Sequence, residues 1–190
     1  MFRTLSNIGE NLNKEGILWA VGASIVLNHY GLVQHPNDID LLVDVQDMEK
    51  ADRILQEMGQ KKGPEKTDVY ATQYFYEYMI KGFDVDVMAG FEIKHSNGSF
   101  QYKFDENSIS TMKEIHGISI PLTSLEDWYI LYQLIPHREH KVQMIENYLL
   151  SNGIGKRFLM ERTLAQELPR EVRCRIENLL AQYPKEKEWI

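Results

Sequence analysis

Cysteine is almost absent. Cys174 is the single one in 190 residues, so no intramolecular disulfide can form and a reducing, cytoplasmic setting is expected. Long apolar runs are missing as well. None approaches the ~18 residues that a membrane-spanning helix needs. The opening residues, MFRTLSNIGENLNKEG, lack an apolar segment of signal-peptide length. No membrane partner is expected. Positive charge is in deficit: 21 Lys and Arg stand against 28 Asp and Glu, a formal net charge of −7 at pH 7. That balance argues against a broad phosphate-binding surface, and so against sequence-independent nucleic-acid binding. A local basic patch stays compatible with it. There are no internal repeats and no low-complexity segments. What is present is a hydrophobic fraction of 43%, enough to build a core for one compact domain, or a core with a small appendage. Oligomeric state is not legible.

The chemistry concentrates in Val21 to Asp44, VGASIVLNHYGLVQHPNDIDLLVD. Ile17 to Val21 is a continuous apolar run, as in a buried first strand. Gly22 permits a tight turn where the backbone can approach a ligand. Ala23 to Tyr30 reads as a helix whose first amides face the strand tips, a seat for phosphates. After a loop with Pro36 and Asn37 comes Asp38-Ile39-Asp40-Leu41-Leu42-Val43. Side chains alternate along a strand, so Ile39, Leu41 and Val43 take the core face. Asp38 and Asp40 take the other, about 7 Å apart at Cβ. Two such carboxylates repel, and Asp is disfavoured in strands. Both penalties are offset by a cation, and Mg²⁺ is the usual guest of paired carboxylates that meet phosphates. The pattern recurs in Phe83-Asp84-Val85-Asp86-Val87-Met88. If the two strands are neighbours, three or four carboxylates share one sheet face, enough for one or two divalent ions.

The rest of the chain supplies a frame. Leu5, Ile8 and Leu12 mark a helix over residues 3–14, ended by Gly16. Behind an Asp47 N-cap, Met48, Ala51, Ile54, Leu55 and Met58 stripe a second one. Lys61 to Lys66 is a polar loop. Asp68 to Ile80 is aromatic and β-branched, one or two strands, turning at Lys81-Gly82 into the Asp84/Asp86 strand. Its Tyr70, Tyr74, Tyr76 and Tyr78 either pack a sheet or line a substrate face. Asn97-Gly98 turns a hairpin of Phe91–His95 and Ser99–Phe104. His116 to Pro121 is a last short strand. From Thr123 the character is helical. Ser124 to Asp127 resembles a capping box. Leu125, Trp128, Tyr129, Tyr132 and Ile135 share an apolar face, and Pro136 breaks the helix. Further helices run over Arg138–Leu150, Phe158–Leu168 and Glu171–Tyr183. The fold class is therefore α/β (α+β), a mixed sheet flanked by helices, with residues 1–122 as core and 123–190 as a C-terminal helical region. His137 and His140 share a helix face, but nothing completes the three or four ligands of a zinc site. His35 reads as a surface loop residue.

In the order of Val21-Gly22-Ala23-Ser24, Asp38-Ile39-Asp40 and Phe83-Asp84-Val85-Asp86, the chain resembles the nucleotidyltransferase superfamily. Its small bacterial members, the antibiotic nucleotidyltransferases and the nucleotidyltransferase-type toxins, are nearest in layout. Ala23 stands where the family has Gly or Ser. The resemblance implies a nucleotidyltransferase-like fold and an NTP as substrate, ATP being the first choice. It implies Mg²⁺ held by Asp38, Asp40 and Asp86, with Asp84 in reserve, and Asp86 as base. Gly22, Ala23 and Ser24 would cradle the phosphates. The family often places a lysine near Gln133 on the first C-terminal helix; Arg138 and Lys141 are the nearest basic substitutes. The implied reaction moves a nucleoside monophosphate to a hydroxyl of a small-molecule acceptor. The alternatives are a toxin-type enzyme acting on protein or tRNA, and a non-catalytic nucleotide- or metal-binding module.

Overall fold

The computed structural model describes residues 1–63 and 70–183. Residues 64–66 of the expected loop and 68–69 of the expected strand lie outside the described residues. The chain runs α1 (Phe2–Lys14), β1 (Trp19–Val21), α2 (Ala23–His29), β2 (Ile39–Val43), α3 (Met48–Met58), β3 (Gln60–Lys61), β4 (Tyr74–Ile80) and β5 (Phe83–Ala89). A hairpin of β6 (Glu92–His95) and β7 (Gly98–Gln101) precedes β8 (Ile109–Ile115) and β9 (Ile118–Thr123). Four helices follow: α4 (Leu125–Leu134), α5 (Glu139–Asn152), α6 (Arg157–Leu164) and α7 (Arg170–Gln182). The main sheet is mixed, in the order β3-β4-β5-β2-β1-β9-β8, and β6 and β7 pair apart from it. This is an α/β fold. Among the described residues no helix is long and apolar enough to cross a membrane.

Local sequence explains most elements. Leu5, Ile8 and Leu12 recur at helical spacing and are fully buried, where α1 packs on β9 and α3. β1 and β2 run antiparallel, with Trp19 opposite Val43 and Val21 opposite Leu41. Val21 also meets Leu122 of β9 in parallel. The strand β8 was not expected. It pairs antiparallel with β9, and its register shifts between Ile109 and Thr111. Such a bulge breaks the alternation by which a strand is recognised. The hairpin turns through His116 and Gly117, both at positive φ (52° and 79°). Of the four tyrosines, Tyr78 is fully buried and donates to Asp52 Oδ1 at 2.5 Å.

α4 is anchored by polar groups at its first turn. The Ser124 hydroxyl accepts from the Asp127 amide at 3.0 Å, which is half of the capping box. The other half is absent, because the Ser124 amide donates to Ser108 O. The Asp127 carboxylate instead accepts from the Tyr102 hydroxyl at 2.8 Å. Glu126, also buried, accepts from the amides of Gly155 and Lys156 at 2.7 and 2.9 Å. Further along, Glu146 of α5 accepts from Tyr129 of α4 at 2.9 Å and pairs with Arg175 of α7. These contacts fix α4 against the sheet and against the other C-terminal helices.

Burial pushes the Asp127 carboxyl up to about 7, against the pull of the Tyr102 and Ser124 hydrogen bonds. The folded state thus keeps a proton that the unfolded chain releases above pH ~4. Stability from this group is complete below that pH and is lost as pH rises through about 7. Asp127→Asn still accepts from Tyr102 but cannot ionise. It should melt above the wild type at pH 8, by at most about 4 kcal/mol of stability, and the gap should shrink at pH 5. Circular-dichroism melts at the two pH values check this.

Candidate active site

β2 and β5 are parallel neighbours, with Ile39 opposite Val85, Asp40 opposite Asp86 and Leu41 opposite Val87. Ile39, Leu41, Val85 and Val87 are all fully buried. The intervening carboxylates therefore project from the other face. Asp38, immediately before β2, joins Asp40 and Asp86 in lining one cavity of about 150 Å³. Asp84 lies outside that lining; it is half exposed and pairs with Lys62 at 2.5 Å. β4 adds a carboxylate that was not anticipated: Glu77 stands opposite Asp86 on the neighbouring strand.

The carboxylates crowd one another. Asp40 keeps some solvent contact through the cavity. Burial, and then the charges of Asp38 and Asp86, push its carboxyl up to about 8. Burial, then Glu77 and Asp38, push Asp86 up to about 6. Burial is the first cause of both shifts, and a cation bound among these acids would oppose them. Among the described residues no three acidic or imidazole side chains close into a ready-made metal cage. The donor chemistry nevertheless fits a hard divalent cation, because the cavity offers carboxylate oxygens from three residues.

The turn after β1 grips this cluster. The Gly22 amide donates to Asp40 O at 2.9 Å, and the Ser24 hydroxyl donates to Asp38 Oδ1 at 3.3 Å. Ala23 lines the cavity with a left-handed φ of 45°, which costs an alanine about 1–2 kcal/mol. Gly22 itself is extended, with φ −125°. Its need for glycine comes from elsewhere: a Cβ there would sit 2.3 Å from Trp128 Cζ2. The close approach anticipated for a ligand is made here by an indole ring.

The opposite wall comes from the C-terminal helices. Trp128 and Tyr132 of α4, with Arg138 and Lys141 at the start of α5, line the same cavity. Lys141 Nζ lies 3.4 Å from the Tyr132 hydroxyl and 4.8 Å from its ring centre. Burial, then Arg138, lowers the Lys141 ammonium, while Asp40 and Asp38 oppose the shift. Gln133 turns away, its amide donating to Tyr129 O at 3.0 Å. Tyr70, Phe75 and Phe91 complete the aromatic lining. Neither Trp128 nor Tyr132 stood out in the sequence, because aromatics at i and i+4 on an apolar helix face read as core. Larger hollows exist. The one of about 380 Å³ between Val43 and Phe104 carries one acid, Asp44, and one base, Lys103, so the convergent charge is not there.

No protein-family model matches the chain, and no curated protein matches it in sequence. Solved structures do. A candidate nucleotidyltransferase from Thermotoga maritima is 26% identical, with a TM-score of 0.60 over 79% of this chain and 92% of that one. The crystal structure of ANT(2'')-Ia in complex with adenylyl-2''-tobramycin is 11% identical, with a TM-score of 0.53 over 96% of each chain. The solution structure of ANT(2'')-Ia, 13% identical, gives 0.56 over 95% of this chain and 93% of that one. The chain has the fold of the nucleotidyltransferase superfamily.

Proposed function

We propose that this chain transfers a nucleoside monophosphate from an NTP, ATP first, to a hydroxyl of a small-molecule acceptor. The observation that carries the reading is the parallel register of Asp40 and Asp86, with Asp38 beside them and Arg138 and Lys141 across the same cavity. Asp38, Asp40 and Asp86 would hold Mg²⁺; when bound, the ion neutralises triphosphate charge and polarises the α-phosphoryl group. Arg138 and Lys141 face the phosphates from the opposite wall and stabilise the departing pyrophosphate. Ala23 lines the phosphate side, with Gly22 and Ser24 holding the turn. Asp86 takes the proton of the acceptor hydroxyl on a carboxylate oxygen. The acceptor oxygen bonds to the α-phosphorus as the bond to the bridging oxygen breaks, and pyrophosphate leaves. A cavity of about 150 Å³ admits the ion and the reacting phosphates, with base and acceptor extending beyond it. The ANT(2'')-Ia complex holds adenylyl-2''-tobramycin, which supports a small acceptor for this chain, and a net charge of −7 suits a cationic one. We place the activity in the cytoplasm.

The first test needs no acceptor. ATP, GTP, CTP and UTP, each with and without Mg²⁺, should raise the thermal midpoint of the wild type only with the metal, since a ligand that binds the native state stabilises it by mass action. The doubly substituted Asp38→Asn/Asp40→Asn protein should fold and lose that shift. No shift with any nucleotide would overturn the transferase reading. Once an acceptor is found by pyrophosphate release, Asp86→Asn should lower turnover by roughly 10²-fold or more. Asp84→Asn, which breaks an exposed pair with Lys62 and removes one minor charge acting on Asp86, should stay within the same order of magnitude as the wild type. The reverse ranking would assign the base to Asp84.

A further inference from the structure

The indole of Trp128 is almost fully buried, with 2% exposure, yet it lines the cavity beside the carboxylates. It is held at two ends. Its Nε1 donates to Thr123 Oγ1 at 2.8 Å, and that hydroxyl donates to Val21 O at 3.2 Å. Val21 is the residue before Gly22, so the ring is tied to the strand that delivers the turn. The nitrogen edge of the ring then lies against Gly22, where an added Cβ would meet Cζ2 at 2.3 Å, Cε2 at 2.9 Å and Nε1 at 3.1 Å. The indole also meets the Tyr132 ring, with centroids 5.2 Å apart, and Tyr132 lies under Lys141.

We propose that Trp128 is a positioning residue, and that Gly22 is glycine in order to admit its indole. Held by Thr123 and in contact with Tyr132, the ring fixes the turn from one side. The turn in turn holds Asp40 through the Gly22 amide and Asp38 through the Ser24 hydroxyl. A left-handed alanine at position 23 persists only where its surroundings over-determine it, and the indole packed on the preceding residue does so. One rigid series of contacts therefore sets the spacing between the carboxylates on the sheet and the cations on α5. Trp128 touches no reacting atom in this scheme; it acts through Gly22.

This role rests on the nucleotidyltransferase reading, and a four-protein cycle separates the two. Wild type, Gly22→Ala, Trp128→Phe and the double variant are compared as full chains, by thermal midpoint without ligand and by Mg-dependent affinity for ATP. Phenylalanine keeps a ring near Tyr132, drops the Nε1 donor and leaves room for a methyl group. Gly22→Ala should weaken Mg-ATP binding by roughly tenfold or more, since small misplacements in such sites are costly. Trp128→Phe should weaken it less. The double variant should recover to within about threefold of Trp128→Phe, with coupled midpoints as expected for residues in contact. If Gly22→Ala does not fold alone, a folded double variant that binds Mg-ATP carries the same conclusion, and a double that also fails overturns it. Equal loss from Gly22→Ala with either residue at position 128 would also overturn it, because the glycine would then serve the ligand. So would a fall in midpoint on Trp128→Phe with unchanged affinity, which is a structural effect alone. A wild type that binds no Mg-nucleotide overturns the transfer reading and the positioning role with it, while coupled midpoints would still establish the packing of residue 22 on residue 128.

Discussion

Two aspartates on adjacent parallel strands, Asp40 beside Asp86, face each other across the ~4.8 Å that separates strands in a sheet. Like charges opposite one another destabilise a strand pair. The register survives because the other face of the same strands is apolar. Ile39, Leu41, Val85 and Val87 are fully buried, and each such side chain contributes roughly 1.5–3 kcal/mol. A slip of one residue in either strand would turn its two apolar side chains into the cavity and its acid into the core. The hydrophobic effect on one side of the sheet thus holds an electrostatic conflict in place on the other.

The second half of the cavity depends on that conflict and answers it. Arg138 and Lys141 approach from α5, while the carboxylates Glu126 and Asp127 anchor α4 by accepting from backbone amides and from Tyr102. Both sit in the first turn of α4. The aromatic residues between the two halves are spacers of fixed shape. A ring has few rotamers, so a Trp128–Tyr132 contact transmits position with little loss.

How much of this was legible follows from the range of each interaction. The strand of Ile39 to Val43 and the helix of Leu5, Ile8 and Leu12 are written in local periodicity, and the structure has both. The side-by-side placement of Asp40 and Asp86 was legible only as a condition, because pairing is a long-range fact. β8 was missed because a bulge at Ile109/Thr111 scrambles its alternation. Gly22 was read as a point where a ligand comes close; the structure puts an indole against it, and nothing near it in sequence announces Trp128. Glu77 escaped for the same reason: a carboxylate in an aromatic strand acquires meaning only from its partner across the sheet. Ser24 was read as a phosphate contact, and its hydroxyl is found on Asp38.

The pairing of Val21 with Leu122 also bears on how the protein comes into being. β1 is three residues long, and one of its two neighbours in the sheet is β9, which arrives about a hundred positions later in the sequence. Topologies dominated by such distant partners close late and fold slowly. A nascent chain that has emerged only as far as Asp86 carries its acids but lacks β9, the indole and the cations of α5. The cavity is complete only once the indole of Trp128 and the cations Arg138 and Lys141 have joined the sheet that carries the acids.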